Sequence, residues 1–124
     1  MWVTRLVIGG GLAVAVACSS VMSPSCSGAC VTIKDFSFSP SAMTVKVGTS
    51  VTWINTGPSA HTVTSDNNVW DSGTLGAPGG GGGYGTAAGT YQFTFNTMGT
   101  YHYHCKIHPP ASYPGFTGTI TVTQ

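Results

Sequence analysis

An all-β fold, a Greek-key antiparallel β-sandwich, is what this sequence predicts, and three observations predict it. Apolar residues alternate with polar ones in short runs, the period of a strand with one buried face. Seven or so such runs follow one another, separated by Gly, Pro and Asn. No segment carries the period of an amphipathic helix.

The chain has 124 residues, room for one domain. It opens Met1-Trp2-Val3-Thr4-Arg5 and runs through an uncharged apolar stretch from Leu6 to Ala17. A basic start followed by a short apolar core is the pattern of a secretory signal, so residues 1–17 are expected to be a signal peptide. The stretch is too short for a membrane span. Ala15-Val16-Ala17-Cys18 reads either as a small-residue cleavage site or as a lipoprotein box with lipid on Cys18. The second resembles bacterial lipoproteins, with Ala15 in place of the usual Leu. The expected location is the periplasm or the outer face of the cell membrane, with anchoring through Cys18.

Residues 18–30 are rich in Ser, Pro, Cys and small residues, the composition of a tether. If Cys18 carries lipid and Cys105 binds metal, Cys26 and Cys30 remain, and an exported protein can oxidise them to a disulfide. The alternative is that they belong to a plain flexible tether, because so small a ring needs a turn to bring the two residues together.

The folded domain is expected over residues 31–124. Val31 and Ile33 alternate with Thr32 and Lys34; the phase then shifts so that Phe36 and Phe38 share a face, which a bulge or bend at Lys34-Asp35 would explain. Met43, Val45 and Val47 form the next half-buried run. After Gly48, Val51 to Ile54 resumes with Trp53 as a core residue. His61 to Ser65 reads as a strand. Tyr91, Phe93 and Phe95 alternate with Gln92, Thr94 and Asn96, and after Thr97-Met98-Gly99 the run Tyr101, Tyr103, Cys105 alternates with His102 and His104. The last strand spans Thr117 to Thr123. Between these runs, Gly76 to Gly89 holds five consecutive glycines, Gly79 to Gly83. It lacks the Lys-Ser/Thr and following helix of a phosphate-binding loop and reads as a mobile surface insertion.

Past the leader, Lys34, Lys46 and Lys106 are balanced by Asp35, Asp66 and Asp71. A chain without a basic face does not recruit nucleic acid, and one without net charge steers no charged partner from a distance. Glu is absent and the three Asp are scattered, so no acid–base or nucleophile set marks an enzyme.

Chemistry concentrates in Tyr101-His102-Tyr103-His104-Cys105-Lys106-Ile107-His108-Pro109-Pro110. A Cys followed three residues later by a His places a soft thiolate and an imidazole on one tight loop, and His61 stands upstream. Cys with two His is the trigonal ligand set of blue-copper electron-transfer sites. Strand parity carries Cys105 inward with Tyr103 and Tyr101, and leaves His102 and His104 outward. Those two histidines are a candidate surface metal clasp, and His104, beside the Cys, a candidate electron port.

Asn55, His61-Thr62-Val63-Thr64, Trp70-Asp71-Ser72-Gly73, Gly99 through Cys105, Ile107-His108-Pro109 and Gly118 through Thr123 together resemble the cupredoxins of the plastocyanin/amicyanin type, over about Val31 to Gln124. The resemblance implies one type 1 copper with His61, Cys105 and His108 as equatorial ligands, and Asn55 in the loop that braces the first His. It departs at the axial position. Where the family carries a Met after the second His, this chain has Ala111, Ser112 and Tyr113; aligned from the last strand, Phe116 takes that place. Met98 is a strand's length from Cys105, Met22 is in the tether and Met43 opens a strand. The expectation is a three-coordinate copper, or one with a distant backbone carbonyl near Ala111 or the Tyr113 hydroxyl as fourth contact. Loss of an axial donor disfavours Cu(II) and should raise the reduction potential.

The functions this implies are a one-electron carrier cycling Cu(I)/Cu(II) or, alternatively, an exported copper-handling protein for delivery or buffering; a metal-free sandwich adhesin stands outside the resemblance. The expected partner is a redox protein docking on an apolar collar around His108 built from Pro109, Pro110, Ala111, Tyr113, Pro114 and Phe116, with the carrier itself a monomer.

Overall fold

In the computed structural model, residues 26–80 and 87–124 are described. The expected signal peptide, the lipid site at Cys18, the tether up to residue 25, Met22 and the centre of the glycine-rich insertion lie outside them. Among the described residues, eight strands make two four-stranded sheets, and every regular element is a strand. In chain order they are β1 (Ala29–Lys34), β2 (Ser37–Ser39), β3 (Ala42–Lys46), β4 (Thr49–Asn55), β5 (Thr64–Ser65), β6 (Thr90–Phe95), β7 (Gly99–His104) and β8 (Thr117–Thr123). One sheet has the order β2-β1-β4-β6, the other β3-β8-β7-β5.

The sandwich is as expected; its sheets, however, are mixed rather than wholly antiparallel. β1 runs parallel to β4, with Val31 beside Trp53. β3 runs parallel to β8, with Val45 beside Val122. After the β1–β2 hairpin the chain crosses to the other sheet, where β3 lines up with the last strand. Strand alternation specifies which face is buried but carries no sign for the direction of a partner far away in sequence.

Each sheet turns its apolar face inward. Val31 and Ile33 of β1, Val51 and Trp53 of β4 and Phe95 of β6 meet Tyr103 of β7 and Ile120 and Val122 of β8 in one core. Trp53 lies 5.8 Å from Trp70 and 5.6 Å from Tyr103, centroid to centroid. Tyr103 pairs across the ladder with Gly118, where any Cβ would run into the tyrosine ring. That absence of a side chain is what lets so large a phenol enter the core.

Three local expectations take definite form. Of the bulge or bend expected at Lys34-Asp35 the structure has the bend, a reversing turn at Asp35 and Phe36 sharp enough to fold β2 back antiparallel on β1 with Lys34 opposite Ser37. The expected strand His61 to Ser65 shrinks to Thr64–Ser65, and His61 is held instead by an isolated bridge to Leu75. The first strand starts at Ala29, inside a small ring closed by a disulfide between Cys26 and Cys30, the second residue of β1, with the two Cα atoms 5.9 Å apart. Gly28, at a φ of 93°, supplies the left-handed residue of that small ring.

The base of the glycine-rich insertion is pinned. Gly89 donates from its N–H to the Gly76 carbonyl and accepts from the Asn55 N–H.

Candidate metal centre

Three elements converge at the end of the sandwich where β4 and β7 finish. β7 ends at His104, so Cys105 is the next residue and keeps the inward phase of Tyr103; it is fully buried, while His102 on the other face is exposed. The chain then closes on itself: the N–H groups of Ser112 and Tyr113 both donate to the Pro109 carbonyl, and the Phe116 N–H donates to that of Tyr113. This compact loop holds His108 close to Cys105. His61 arrives from the other side, completely buried, its backbone exchanging hydrogen bonds with Leu75 at 3.1 and 2.7 Å.

Asn55, the last residue of β4, shapes the segment between. Its amide donates to the carbonyls of Ser59 (2.8 Å) and Leu75 (3.0 Å), and its oxygen accepts from the Gly57 N–H at 3.1 Å. A buried amide with three partners specifies one path for the loop that carries His61.

His61, Cys105 and His108 are the one group of His, Cys, Asp or Glu side chains among the described residues whose ligand atoms cluster as a metal site, all within 4.8 Å of one another. Both rings turn Nδ1 to the centre: Nδ1 to Nδ1 is 3.1 Å, and Cys105 Sγ is 3.9 Å from His61 Nδ1 and 3.7 Å from that of His108. The centre of that triangle is about 2.1 Å from each atom, within the range of about 2.0–2.3 Å for metal bonds to imidazole and thiolate. One soft sulfur and two imidazoles suit copper, and the donors stand at bonding radius around a single point.

The electrostatics favour a thiolate. Burial alone would raise the Cys105 thiol, but its contacts with His61, the Thr62 N–H (3.3 Å) and His108 outweigh it and bring it down to about 6. His61 responds in the opposite sense: burial opposes its charge, and the contacts with Cys105 and Asp35 still raise its affinity for a proton. Asp35 is lowered overall; burial would raise it, and Ser59 and His61 bring it down.

Around these donors the structure sorts the axial candidates. Phe116 is fully buried with its ring 4.9 Å from that of His61, edge to face. Ala111 is exposed, and Tyr113 stacks on Phe36 at 4.3 Å while meeting His108 at 5.1 Å. Met98, just before β7, is 54% exposed. Phe116 is therefore buried and not part of a surface collar, whereas Phe36, exposed, lies 5.0 Å from His108, and Ile107, Pro109, Ala111 and Pro114 are exposed along the same stretch of chain as His108. His108 is half-buried among them.

The outward histidines do not come together. His102 Nδ1 bonds Thr119 on β8, whereas His104 Nδ1 bonds Asp66 just beyond β5, on the opposite side of β7.

Sequence reasoning overlooked Asp35, Phe36 and Thr62. Asp35 Oδ1 accepts from His61 Nε2 at 2.5 Å. The Thr62 hydroxyl accepts from the Lys106 N–H at 2.9 Å, tying the His61 segment to the Cys105 loop. The available signal was scarcity: a chain with three carboxylates spends each on a basic side chain, Asp35 on His61, Asp66 on His104 and Asp71 on Lys106.

Comparison with known proteins agrees with this geometry. A plastocyanin of Scenedesmus fuscus is 38% identical over 95 residues, 68% of this chain and 85% of that protein. A mutant amicyanin in its reduced Cu(I) form superposes with a TM-score of 0.62 at 26% identity, covering 80% of this chain and 85% of its own. A purple cupredoxin from Nitrosopumilus maritimus shares the fold, with a TM-score of 0.57 at 23% identity over 77% of this chain and all of its own. The family described as copper binding proteins, plastocyanin/azurin family, matches residues 27–123. With a sandwich of this topology, a donor triangle of one thiolate and two imidazoles, and a match that spans the folded domain, the chain belongs to the plastocyanin/azurin family of copper binding proteins.

Proposed function

We propose that this chain is an exported one-electron carrier whose single type 1 copper is held by His61, Cys105 and His108. The observation that carries the reading is the donor triangle, already at bonding radius around one point. Bound copper supplies the Cu(I)/Cu(II) couple. The chain supplies a frame that changes little between the two states: Asn55 braces the His61 loop, the Thr62 N–H donates to the sulfur, and the Pro109-centred turns lock His108. Phe116 closes the side where an axial donor would stand, so the metal is read as three-coordinate.

His108 is the ligand that reaches the surface, inside an apolar rim that includes Phe36 (37% exposed) and Ile107 (45% exposed). A neutral redox protein would dock there by excluding water, because this chain has no net charge past the leader with which to attract one. The leader supports a carrier outside the cytoplasm, free in the periplasm if the chain is cut at the small residues before Cys18, or held at the outer face of the membrane if Cys18 carries lipid. The copper-handling alternative would draw on Cys26 and Cys30 as further ligands; joined in a disulfide, they are not available as thiolates.

One equivalent of Cu(II) added to a fragment beginning just before Cys26 tests this. An intense thiolate-to-copper absorption with narrow hyperfine splitting in electron paramagnetic resonance is the expected result. A pale, wide-splitting spectrum with rapid loss of metal to a chelator would transfer the weight to copper handling.

A further inference from the structure

We propose that Asp35 is the positioning residue of this site: its carboxylate holds His61 through Nε2, aims Nδ1 at Cys105 and His108, and sets a negative charge behind that one ligand. The inference rests on the carrier reading of the same three ligands.

His61 is fully buried, and both its ring nitrogens are engaged: Nδ1 faces Cys105 and His108, and Nε2 lies 2.5 Å from Asp35 Oδ1. An ionised carboxylate only accepts hydrogen bonds, so in the neutral ring Nε2 carries the hydrogen and Nδ1 the lone pair. Asp35 is itself held. Its Oδ2 accepts from the Ser59 hydroxyl at 2.7 Å, and Gly57 lies so near that a Cβ there would sit 2.8 Å from Oδ1. The turn between β1 and β2 thus exists at the right place to present one carboxylate to one histidine. His108 has no equivalent: among the described residues, the contacts of its ring nitrogens are to His61 and Cys105 alone, both through Nδ1.

The chemical consequence is an asymmetric pair of imidazoles. A carboxylate behind a ligating histidine fixes the ring and raises its basicity. Greater basicity and added negative charge both favour the higher oxidation state. Asp35 therefore lowers the reduction potential, opposing the rise that follows from the missing axial donor.

The test uses the copper-loaded protein and three variants: Asp35→Asn, Asp35→Ala and Ser59→Ala. The readouts are the reduction potential and, in the diamagnetic Cu(I) form, the exchange-protected Nε2–H resonance of His61. Asp35→Asn keeps an acceptor without the charge, so the resonance should persist while the Cu(I):Cu(II) ratio at fixed poise shifts about tenfold, a rise of about 59 mV. Asp35→Ala should raise the potential at least as far and lose the protection. Ser59→Ala removes one anchor of Asp35 but leaves its charge, so it should keep the resonance and raise the potential less than either Asp35 variant. If both Asp35 variants keep the parent potential and a protected Nε2–H, the inference is overturned. A parent that lacks the type 1 spectrum sinks the carrier reading instead, and the Nε2–H readout then still decides whether Asp35 orients His61.

Discussion

Phe116 shows how one residue sets the character of the site. Its ring is fully buried and meets His61 and His108 at centroid distances of 4.9 and 6.3 Å, so hydrocarbon packs against both imidazoles. An apolar wall offers no lone pair to Cu(II) and keeps water off the sulfur, and both effects favour Cu(I). Phe116→Met should place a thioether against the site and lower the potential by about 59 mV or more, a tenfold change in the ratio of the two oxidation states. Ala111→Met, on the exposed side of the loop, should leave the potential unchanged. Voltammetry of both variants checks this; equal shifts, or no shift in Phe116→Met, would remove Phe116 from the axial position.

At the scale of elements, the site is built where two strands stop and the connection after each is stapled in place. Asn55 is the staple of the first: it is fully buried and bonds three backbone groups, so truncation leaves the Ser59 carbonyl and the Gly57 N–H without their partner and the Leu75 carbonyl with the His61 N–H alone. Asn55→Ala should reduce unfolding free energy by about 2–4 kcal/mol, measured by denaturant titration of the metal-free protein. It should also slow copper uptake, because His61 is no longer held in advance. The strands themselves differed in how plainly they could be read. β6, β7 and β8 alternate cleanly because one face of each is wetter than the other, and their limits follow the pattern. From His61 to Ser65 every residue is buried, so no alternation separates the two-residue strand β5 from the bridge that precedes it.

The molecule as a whole combines an almost uncharged exterior with an aromatic interior. Of the three ion pairs among the described residues, Lys106–Asp71 is largely exposed on both sides, the kind that contributes at most about 1 kcal/mol. Stability must come from the core, where Trp53, Trp70 and Tyr103 pack with their polar atoms unpaired. Burial raises Tyr103 from 10.0 to about 12, and the neighbouring Trp53 indole pulls the other way without closing a hydrogen bond. A folded-state value above the unfolded one means that this contribution is whole below pH 10 and lost as pH rises towards 12. Two units correspond to about 3 kcal/mol. The protein should therefore lose stability across that interval, with tyrosinate absorbance appearing together with the loss of near-ultraviolet circular dichroism. Tyr103→Phe should move the transition to higher pH, since the phenylalanine has no proton to lose.

By itself the sequence determined the class of fold, the inward phase of Cys105, the Cys105–His108 loop and the absence of a Met in the axial place. All of these depend on neighbours a few residues apart, where the period of a strand and the reach of one loop decide the outcome. The tertiary structure alone decided that β1 and β3 pair in parallel, that Asp35 stands behind His61 across 26 residues of chain, and that Phe116 rather than Ala111 faces the donors. It also brought Phe36 into the rim around His108. Those contacts join residues far apart in sequence. They depend on which sheet each crossing enters and on the direction of every turn, and a local alternation of apolar and polar residues specifies neither.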